Sequence, residues 1–381
     1  MGPLRGIRVV ELASLGPGPF CGMMLADMGA DVIRLERPTP VNPVPGDPSL
    51  DVLNRGKKSV AIDLKHPEAA SVVLDLVGSS DVFIEGFRPG VCERLGIGPE
   101  PCMTRNPQLI YGRMTGWGQE GPLAETAGHD ITYLARAGGL WSLGHEDRPP
   151  MPPLNLVADF GGGGMFLAFG VVAALVSRTL RGYGQVVDAA MVDGVAALHA
   201  MAHSMRNQGV SSDERHSNLL DGAAHFYTTY ECADGQFFAV GALEPQFYRV
   251  FLEGLDLEPG DWPQFDRARW AAQRADIAEI IGRHDRSYWM ERYEGTDACV
   301  APVNRLDEVA ADPHLSARST FVQDRGGVQP APAPRFGTDR PELVGSPPLP
   351  GEHTVAALES WGFDGGRIAA LIEQRIVFRR V

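Results

Sequence analysis

A chain of 381 residues exceeds one compact core of ordinary size, so two domains or one elaborated α/β domain are expected. Hydrophobic residues at 44% and charged residues at 22% exclude a largely disordered chain with long unstructured tails. A formal charge of -14 argues against a general binder of nucleic acid or anionic membrane, since both need a positive field.

Any anionic ligand must then meet a local basic cluster. All three lysines, Lys57, Lys58 and Lys65, fall in one short stretch, although a solvated surface explains such a run equally well. The five cysteines, Cys21, Cys92, Cys102, Cys232 and Cys299, are odd in number and never form C-x-x-C. They read as reduced, mostly buried thiols of a cytosolic protein. No basic start with an apolar signal region precedes the first expected strand, so secretion is not expected. Phe160 to Ser177 is uncharged and close to the roughly 18 residues of a spanning helix. With Gly161 to Gly164 inside it and Asp159 at its mouth, it is expected to be a buried core helix, not a membrane span.

Gly6 to Leu12 reads as a buried strand, the segment after Gly16-Pro-Gly-Pro19 as a helix through Met23, Met24, Leu25 and Met28, and Asp31 to Glu36 as a second strand. This β-α-β opening predicts a parallel sheet with a right-handed crossover. Ser59 to Asp63 is a further strand, His66 to Val77 a helix ended by Gly78, and Asp81 to Glu85 and Leu109 to Met114 two more strands. Gly16, Gly18 and Gly22, with Glu36 ending the second strand, suggest a dinucleotide fold. The spacing is wrong, however, and Pro17 and Pro19 remove N–H donors that a pyrophosphate needs, so nicotinamide and flavin are not expected. Gly184 to Met205 is expected as one long helix, and Phe226 to Tyr230 and Gln236 to Val240 as a hairpin around Ala233-Asp-Gly235. A smaller helix-rich domain runs to about Val309, Pro-rich chain from Gln329 to Pro350 is extended, and Thr354 to Ile376 is a terminal helix pair.

Three positions carry possible chemistry. His129, in Gly128-His129-Asp130, precedes a short apolar helix that Gly138-Gly139 terminates, so backbone N–H groups and a positive helix end lie beside it. A His at such a place usually caps or packs. Asp159 stands before four glycines and by itself reads as an N-cap of the helix Met165 to Leu175. Four glycines at a helix entrance cost roughly 1 kcal/mol each relative to Ala, and close approach by another group accounts for them. Glu244, in Gly241-Ala-Leu-Glu-Pro-Gln, lies between a strand and a Pro-started helix. His199 and His203 share a helix face without forming H-E-x-x-H, so no metal site is expected; G-x-S-x-G and P-loop motifs are absent from the sequence.

Together the segments GIRVVELASLGPGPFCGMMLADMGADVIRLERP, FIEGFRPGVCERLGIGP, LIYGRMTGWGQEGP, AGHDITYLARAGGL, PPLNLVADFGGGGMFLAFG and TTYECADGQFFAVGALEPQFY resemble the α-methylacyl-CoA racemases of the family III CoA-transferase superfamily. The resemblance covers nearly the whole chain. Members of the superfamily generally carry an Asp at the position of Asp159, which the transferases use as a nucleophile, whereas the His of GHD and the Glu of GALEP are racemase features. It implies that His129 and Asp159 flank the α-carbon, with Glu244 hydrogen-bonded to the imidazole, Asn155 supporting the site, and Asp130 with the N–H groups of its helix start forming an oxyanion region. A thioester α-proton is weakly acidic, so inversion needs a base on one face, an acid on the other and donors for the enolate oxygen.

The same resemblance implies that the phosphates and adenine of coenzyme A lie against Arg37, Lys65, Arg88 and Arg94, with Asp63, Leu64, Gly86 and Tyr133 in the set. Arg55, Lys57 and Lys58 are candidates to extend it. It further implies an α/β fold with a Rossmann-like parallel-sheet large domain (1–188 and 325–381), linker helices (189–224), a smaller α+β domain (225–310) and a return linker (311–324), interlocked as a homodimer in which Glu244 faces the partner's His129.

The expected activity is epimerisation at C2 of a 2-methyl-branched acyl-CoA in lipid metabolism, without metal or redox cofactor, coenzyme A being carried on the substrate. The alternative is CoA transfer between carboxylic acids through an Asp159 acyl anhydride. A non-catalytic acyl-CoA binder or a nicotinamide-dependent oxidoreductase does not account for GHD, the Asp159 glycine run and GALEP together. Met165 and Met191 are read as core packing sooner than as an acyl groove. The ending Phe378-Arg-Arg-Val381 is not peroxisomal, so a cytoplasmic protein is expected.

Overall fold

The computed structural model describes residues 2–39, 46–324, 326–337, 342–343 and 345–380. Two compact units emerge, the first from residues 1–137, 154–198 and 313–381, the second from 138–153 and 199–312.

The first unit is built on a sheet containing β1 (Arg8–Leu12), β2 (Asp31–Glu36), β3 (Lys57–Ile62), β4 (Val82–Glu85), β5 (Ile110–Thr115) and β6 (Gln185–Ala190). Their order is β3-β2-β1-β4-β5-β6, all parallel, with the short strand Val377–Phe378 antiparallel on the β3 edge. Parallel strands are covered on both faces, hence the short apolar runs Val9-Val10 in β1, Val60-Ala-Ile62 in β3 and Val82-Phe-Ile84 in β4, all buried. On one side, Val72, Val73, Leu76 and Val77 of α2 (Ala69–Gly78) join the two C-terminal helices, through Leu358, Ile368 and Leu371, in one core with Val10, Ile33 and Phe83. The expected terminal helix pair is present as Thr354–Ser360 and Gly365–Glu373.

The strand order reverses between β1 and β4, so the chain leaves these neighbours in opposite directions and opens a crevice at their carboxyl ends. There β1 leads through Gly16 into α1 (Pro17–Asp27), with Pro at the first helical position, where the missing N–H has no intrahelical partner to lose. β4 leads through Gly86–Gly90 into α3 (Val91–Arg94), then α4 (Pro99–Arg105). Ser14 sits between the two loops, and a Cβ at Gly18 or Gly86 would come within 2.6 or 2.9 Å of its Oγ.

Two segments differ from expectation. Gln185–Ala190 is not the start of a long helix but the edge strand β6, paired with β5. Gly184 allows this, because a Cβ there would lie 1.9 Å from the carbonyl of Leu109. The helical stretch that follows is broken into α7 (Met191–Leu198), which belongs to the first unit, and α8 (Ala200–Asn207), which belongs to the second. Secondly, the glycine run does not merely precede a helix. Leu156–Gly164 is itself a π-helical segment that continues directly into α6 (Met165–Arg181). That continuous run is the one helix among the described residues long and apolar enough to cross a membrane, and 44% of its most apolar window is buried. α6 is amphipathic, not wholly buried: Leu167, Val171, Ala174 and Leu175 face inward while Phe169, Val176 and Leu180 are exposed.

In the second unit β7 (Tyr227–Glu231) and β8 (Phe237–Gly241) form the expected hairpin, Gly235 taking the positive φ of its turn, and β9 (Val300–Pro302) pairs with β8. α9 (Pro245–Gly254), α10 (Trp270–Ile281) and α11 (Arg286–Arg292) pack Phe251, Leu252, Ile277 and Trp289 in one core with Phe238 of this sheet and Phe226 just before it. The chain rejoins the first unit at Pro313. Arg325, where the large domain is expected to resume, 338–341 and Val344 of the expected Pro-rich stretch, and Met1 and Val381 at the ends, lie outside the described residues.

Candidate active site

α5 (Asp130–Arg136) begins at His129, whose extended backbone stops the helix there and whose ring is exposed. Thr132 fastens the turn: its Oγ1 accepts the N–H of His129 at 3.0 Å and donates to the carbonyl of His129 at 2.7 Å. The first-turn N–H groups of Asp130 and Ile131 have no intrahelical acceptor, as at any helix start.

Asp130 is buried and turns its carboxylate away from solvent. Its Oδ2 accepts the backbone N–H of Ala158 and of Asp159, both at 2.8 Å. The side chain expected in an oxyanion region therefore clamps the π-helical turn onto α5, because a buried carboxylate needs donors and these two are in reach.

The π-helical turn sets Asp159. Its first turn carries the wide i to i+5 bond from Phe160 N to Asn155 O, at 3.3 Å. Asp159 thus lies inside the element, not at its N-cap. The glycines are explained by close packing: a Cβ at Gly162 would meet Val195 N at 2.8 Å, one at Gly163 the Met191 side chain at 2.9 Å, and one at Gly164 Phe20 at 2.7 Å. Met191 is core, wedged against Gly163, whereas Met165 is exposed and not the core residue expected.

Asn155 Nδ2 donates to Asp159 Oδ2 at 3.2 Å, holding the carboxylate from one side. Gly16 presses from another, since a Cβ there would lie 2.9 Å from the same oxygen, and its φ of +67 is in the region that favours glycine. Burial raises the Asp159 pKa, the Asn155 bond opposes this, the Asp130 charge adds to the rise and His129 pulls it down. His129 and Asp159 therefore share one electrostatic neighbourhood. Leu154, beside Asn155, holds a φ of +57, backbone strain of a kind that concentrates at functional sites.

Tyr133, one turn beyond His129, is buried edge-on to Trp117, with ring centroids 4.8 Å apart. Gly116 and Gly128 seat it, for a Cβ at either would overlap its ring at 2.1 or 2.5 Å. Burial raises its pKa, with the Asp159 charge adding and Arg88 opposing, so Arg88 also reaches this neighbourhood.

The remaining residues of the expected coenzyme set line the carboxyl edge of the sheet. Arg37 follows β2, the Asp63-Leu64-Lys65 turn follows β3, Gly86 and Arg88 follow β4, and Arg94 ends α3. Arg37, Lys65, Arg88 and Arg94 are exposed, and Asp63 Oδ1 accepts the N–H of Lys65 at 3.0 Å. Arg55 and Lys57 do not extend the set. Arg55 is buried, gripping Asp27 through Nε and Nη2 at 3.1 and 2.6 Å and Gln329 at 2.9 Å. Lys57, fully buried, lies 2.7 Å from Glu11 and donates to the carbonyl of Pro19. Lys58 pairs with Asp31 at 2.7 Å. Glu36 accepts from Ser59 at 2.5 Å through Oε1, and its Oε2 lies 3.6 Å from Arg34 Nε, so both its oxygens have partners within the sheet.

Glu244, in the second unit, is exposed at the start of α9, and Gln264 Nε2 holds the loop before it through the carbonyls of Ala242 and Leu243 at 3.0 and 2.9 Å. Four of the five cysteines are buried and unbridged, Cys299 being the exposed one. Among the described residues no group of three or more His, Cys, Asp or Glu could hold a metal ion. Sequence reasoning weighed Gly16 only as a dinucleotide glycine; its contact with Asp159 spans the fold and left no local signal.

A model of CoA-transferase family III matches residues 4–354. The chain is 44% identical over 378 residues to a Mus musculus protein named alpha-methylacyl-CoA racemase, covering 98% of this chain and 97% of that one. To the Homo sapiens protein of the same name it is 42% identical over 386 residues, with coverage of 98% and 97%. Among solved structures, a CaiB/BaiF family protein from Brucella suis superposes with a TM-score of 0.80 at 29% identity, covering 94% of this chain and 99% of that one.

Proposed function

The chain belongs to CoA-transferase family III, and within that family we propose that it is an α-methylacyl-CoA racemase, inverting C2 of 2-methyl-branched acyl-CoA thioesters. The observation that carries the proposal is the clamp of Asp130 on Asp159. Through it the element bearing His129 and the element bearing Asp159 are tied by two hydrogen bonds of 2.8 Å. One imidazole and one carboxylate held in this way supply a base for one face of the α-carbon and an acid for the other. Proton removal leaves a planar enolate, and return of a proton from the opposite group gives the inverted centre. The first-turn N–H groups of α5 are suited to the enolate oxygen.

The raised pKa of Asp159 supports this reading over CoA transfer. Burial moves the pKa of this carboxyl group upward, toward the range in which it can both take and give a proton, a direction that favours proton exchange over service as a free carboxylate nucleophile. Relatives of nearly equal length that bear the racemase name support it further. The same proposal includes coenzyme A lying along the carboxyl edge of the sheet against Arg37, Lys65, Arg88 and Arg94, and Glu244 supporting the imidazole as the resemblance implies. So written, the two-base reaction is complete without a resident metal or redox cofactor. It also includes a homodimer, for which the exposed apolar side of α6, with Phe169 76% and Leu180 82% exposed, offers a surface for a second copy. Function in cytoplasmic lipid metabolism belongs to the same reading.

Incubating one 2-methylacyl-CoA epimer with the protein in deuterated water tests it. Deuterium at C2 of both epimers, at rates comparable with inversion, is expected. Substrate-dependent trapping of an Asp159 acyl group by hydroxylamine, without deuterium at C2, would instead assign CoA transfer.

A further inference from the structure

Arg113, within β5, lies opposite Glu85 on β4 and opposite Asp188 on β6, so an arginine stands between two carboxylates across neighbouring parallel strands. Its Nε donates to Glu85 Oε1 at 3.0 Å, and its Nη1 lies 2.9 Å from Glu93 Oε1. Arg113 is 8% exposed and Glu85 1%. The second oxygen of Glu85 is also engaged, accepting the backbone N–H of Phe87 at 2.7 Å.

These contacts matter for what they adjoin. Phe87 precedes Arg88 and Glu93 precedes Arg94, so one guanidinium ties down both segments that present arginines at the crevice. The tie to the Gly86–Gly90 turn runs through Glu85, and the tie to α3 runs directly to Glu93. Between them Gly90, with φ +80, turns the chain and leaves space for Arg94, whose Nη1 would lie 3.1 Å from a Cβ there. An exposed arginine on a loose turn loses backbone and rotamer freedom when it grips an anion, and a turn already fixed loses less.

We propose that Arg113 is a positioning residue for the phosphate end of coenzyme A, acting through Glu85 and Glu93 to hold Arg88 and Arg94 in place. This rests on the acyl-CoA reading given above. The α-carbon chemistry is carried by α5 and the π-helical turn, which Arg113 does not join, so its removal weakens binding and leaves the chemical step.

The test measures the Kd for free CoA by calorimetry, with kcat and KM for epimerisation, on Arg113→Met, Arg113→Lys, Arg88→Ala and the double variant Arg113→Met/Arg88→Ala. Arg113→Met is expected to raise Kd and KM about tenfold with kcat within about twofold, and Arg113→Lys to recover part of the loss. Because Arg113 acts through Arg88, the double variant should lose less than the product of the single losses. If Arg113 bound the ligand directly through Nη2, which is buried without a partner among the described residues, the losses would multiply. Multiplying losses, or an unchanged Kd and KM in Arg113→Met, overturn the proposal. Should Arg113→Met fail to fold, Glu93→Gln serves in its place, since that carboxylate is 44% exposed. A rise in Kd of about threefold is expected there, and no rise overturns the positioning role. Absence of CoA binding by the unaltered protein would refute the acyl-CoA reading itself, whereas normal binding with indifferent variants would refute only the role of Arg113.

Discussion

Asp130 holds Asp159 by its main chain, Oδ2 accepting the Asp159 N–H at 2.8 Å, and it takes the N–H of Ala158 with the same oxygen. The neighbouring carboxylate so held has its pKa raised by burial first and by the charge of Asp130 in addition. One residue thus fixes the place of the other and adds to the rise in its proton affinity that burial causes.

Asp130→Ala leaves two buried N–H groups without an acceptor. At about 1–3 kcal/mol for each, unfolding in urea should show a loss of about 3 kcal/mol, and displacement of Asp159 by even about 1 Å should lower kcat about 100-fold. Asp130→Asn separates the two effects. Its amide oxygen can still accept, so most stability should remain, but the negative charge is gone and the Asp159 pKa falls. In the direction where Asp159 removes the proton, the acid limb of the kcat/KM profile should therefore move to lower pH. An acid limb that stays in place would show that Asp159 is not the titrating base.

Gly16→Ala tests the other side of Asp159. The new methyl would lie 2.9 Å from Oδ2 on a backbone with φ +67, a conformation costing a non-glycine residue about 1–3 kcal/mol. Activity should drop more than stability, since the carboxylate must move before α1 does. Equal kcat in the two proteins, measured with CoA affinity as the control, would refute this contact as a determinant of the site.

The second unit should be acid-sensitive through His225. Burial, helped by the Arg274 and Arg269 charges, depresses its pKa to about 4, and its Nε2 lies 2.6 Å from the Tyr248 hydroxyl. The unfolded chain takes up this proton near pH 6.5 and the folded chain only near 4, so the unfolded state binds more protons between these values. Stability due to His225 is complete above about pH 6.5 and is lost as the pH falls toward 4, by roughly 3 kcal/mol in all. His225→Gln should cost about 1 kcal/mol at pH 7 with the lost bond, yet flatten the acid dependence of urea unfolding. A steep dependence surviving in the variant would place the acid-sensitive group elsewhere.

What could be read in the sequence, and what could not, follows the range of the interactions. Strands β1 to β5 and the hairpin of β7 and β8 were legible because apolar runs bounded by Gly and Pro are local signals. His129, Asp159 and Glu244 stood out by their short motifs. Strand β6 was not legible: Gln185-Val-Val-Asp-Ala-Ala fits a helix as well as a strand, and pairing with β5 some seventy residues away decides it. The buried partners of Arg55 and Lys57 were hidden for the same reason, so a run of basic residues looked like surface. Four adjacent glycines announced close packing but not which elements approach, nor that the turn would widen into a π-helix around Asp159.

The two proposed bases should be separable by the face each serves. With His129→Ala or Asp159→Asn, net epimerisation should vanish, because the planar enolate loses its proton donor or acceptor on one side. Exchange should survive in part, since the remaining base can remove a proton and return deuterium on its own face. Each variant should therefore wash deuterium from solvent into one 2-methylacyl-CoA epimer preferentially, and the two variants should favour opposite epimers. Mass spectrometry after chiral separation reads both quantities together. Removal of Asn155, by Asn155→Ala, should act on the Asp159 side only, because its Nδ2 donates to the Asp159 carboxylate at 3.2 Å and that bond stabilises the charged form. Its loss raises the Asp159 pKa further, slowing proton removal by Asp159 while sparing the exchange that His129 conducts. If both single variants washed deuterium into the same epimer, His129 and Asp159 would stand on one face, and two-base inversion by this pair would be wrong.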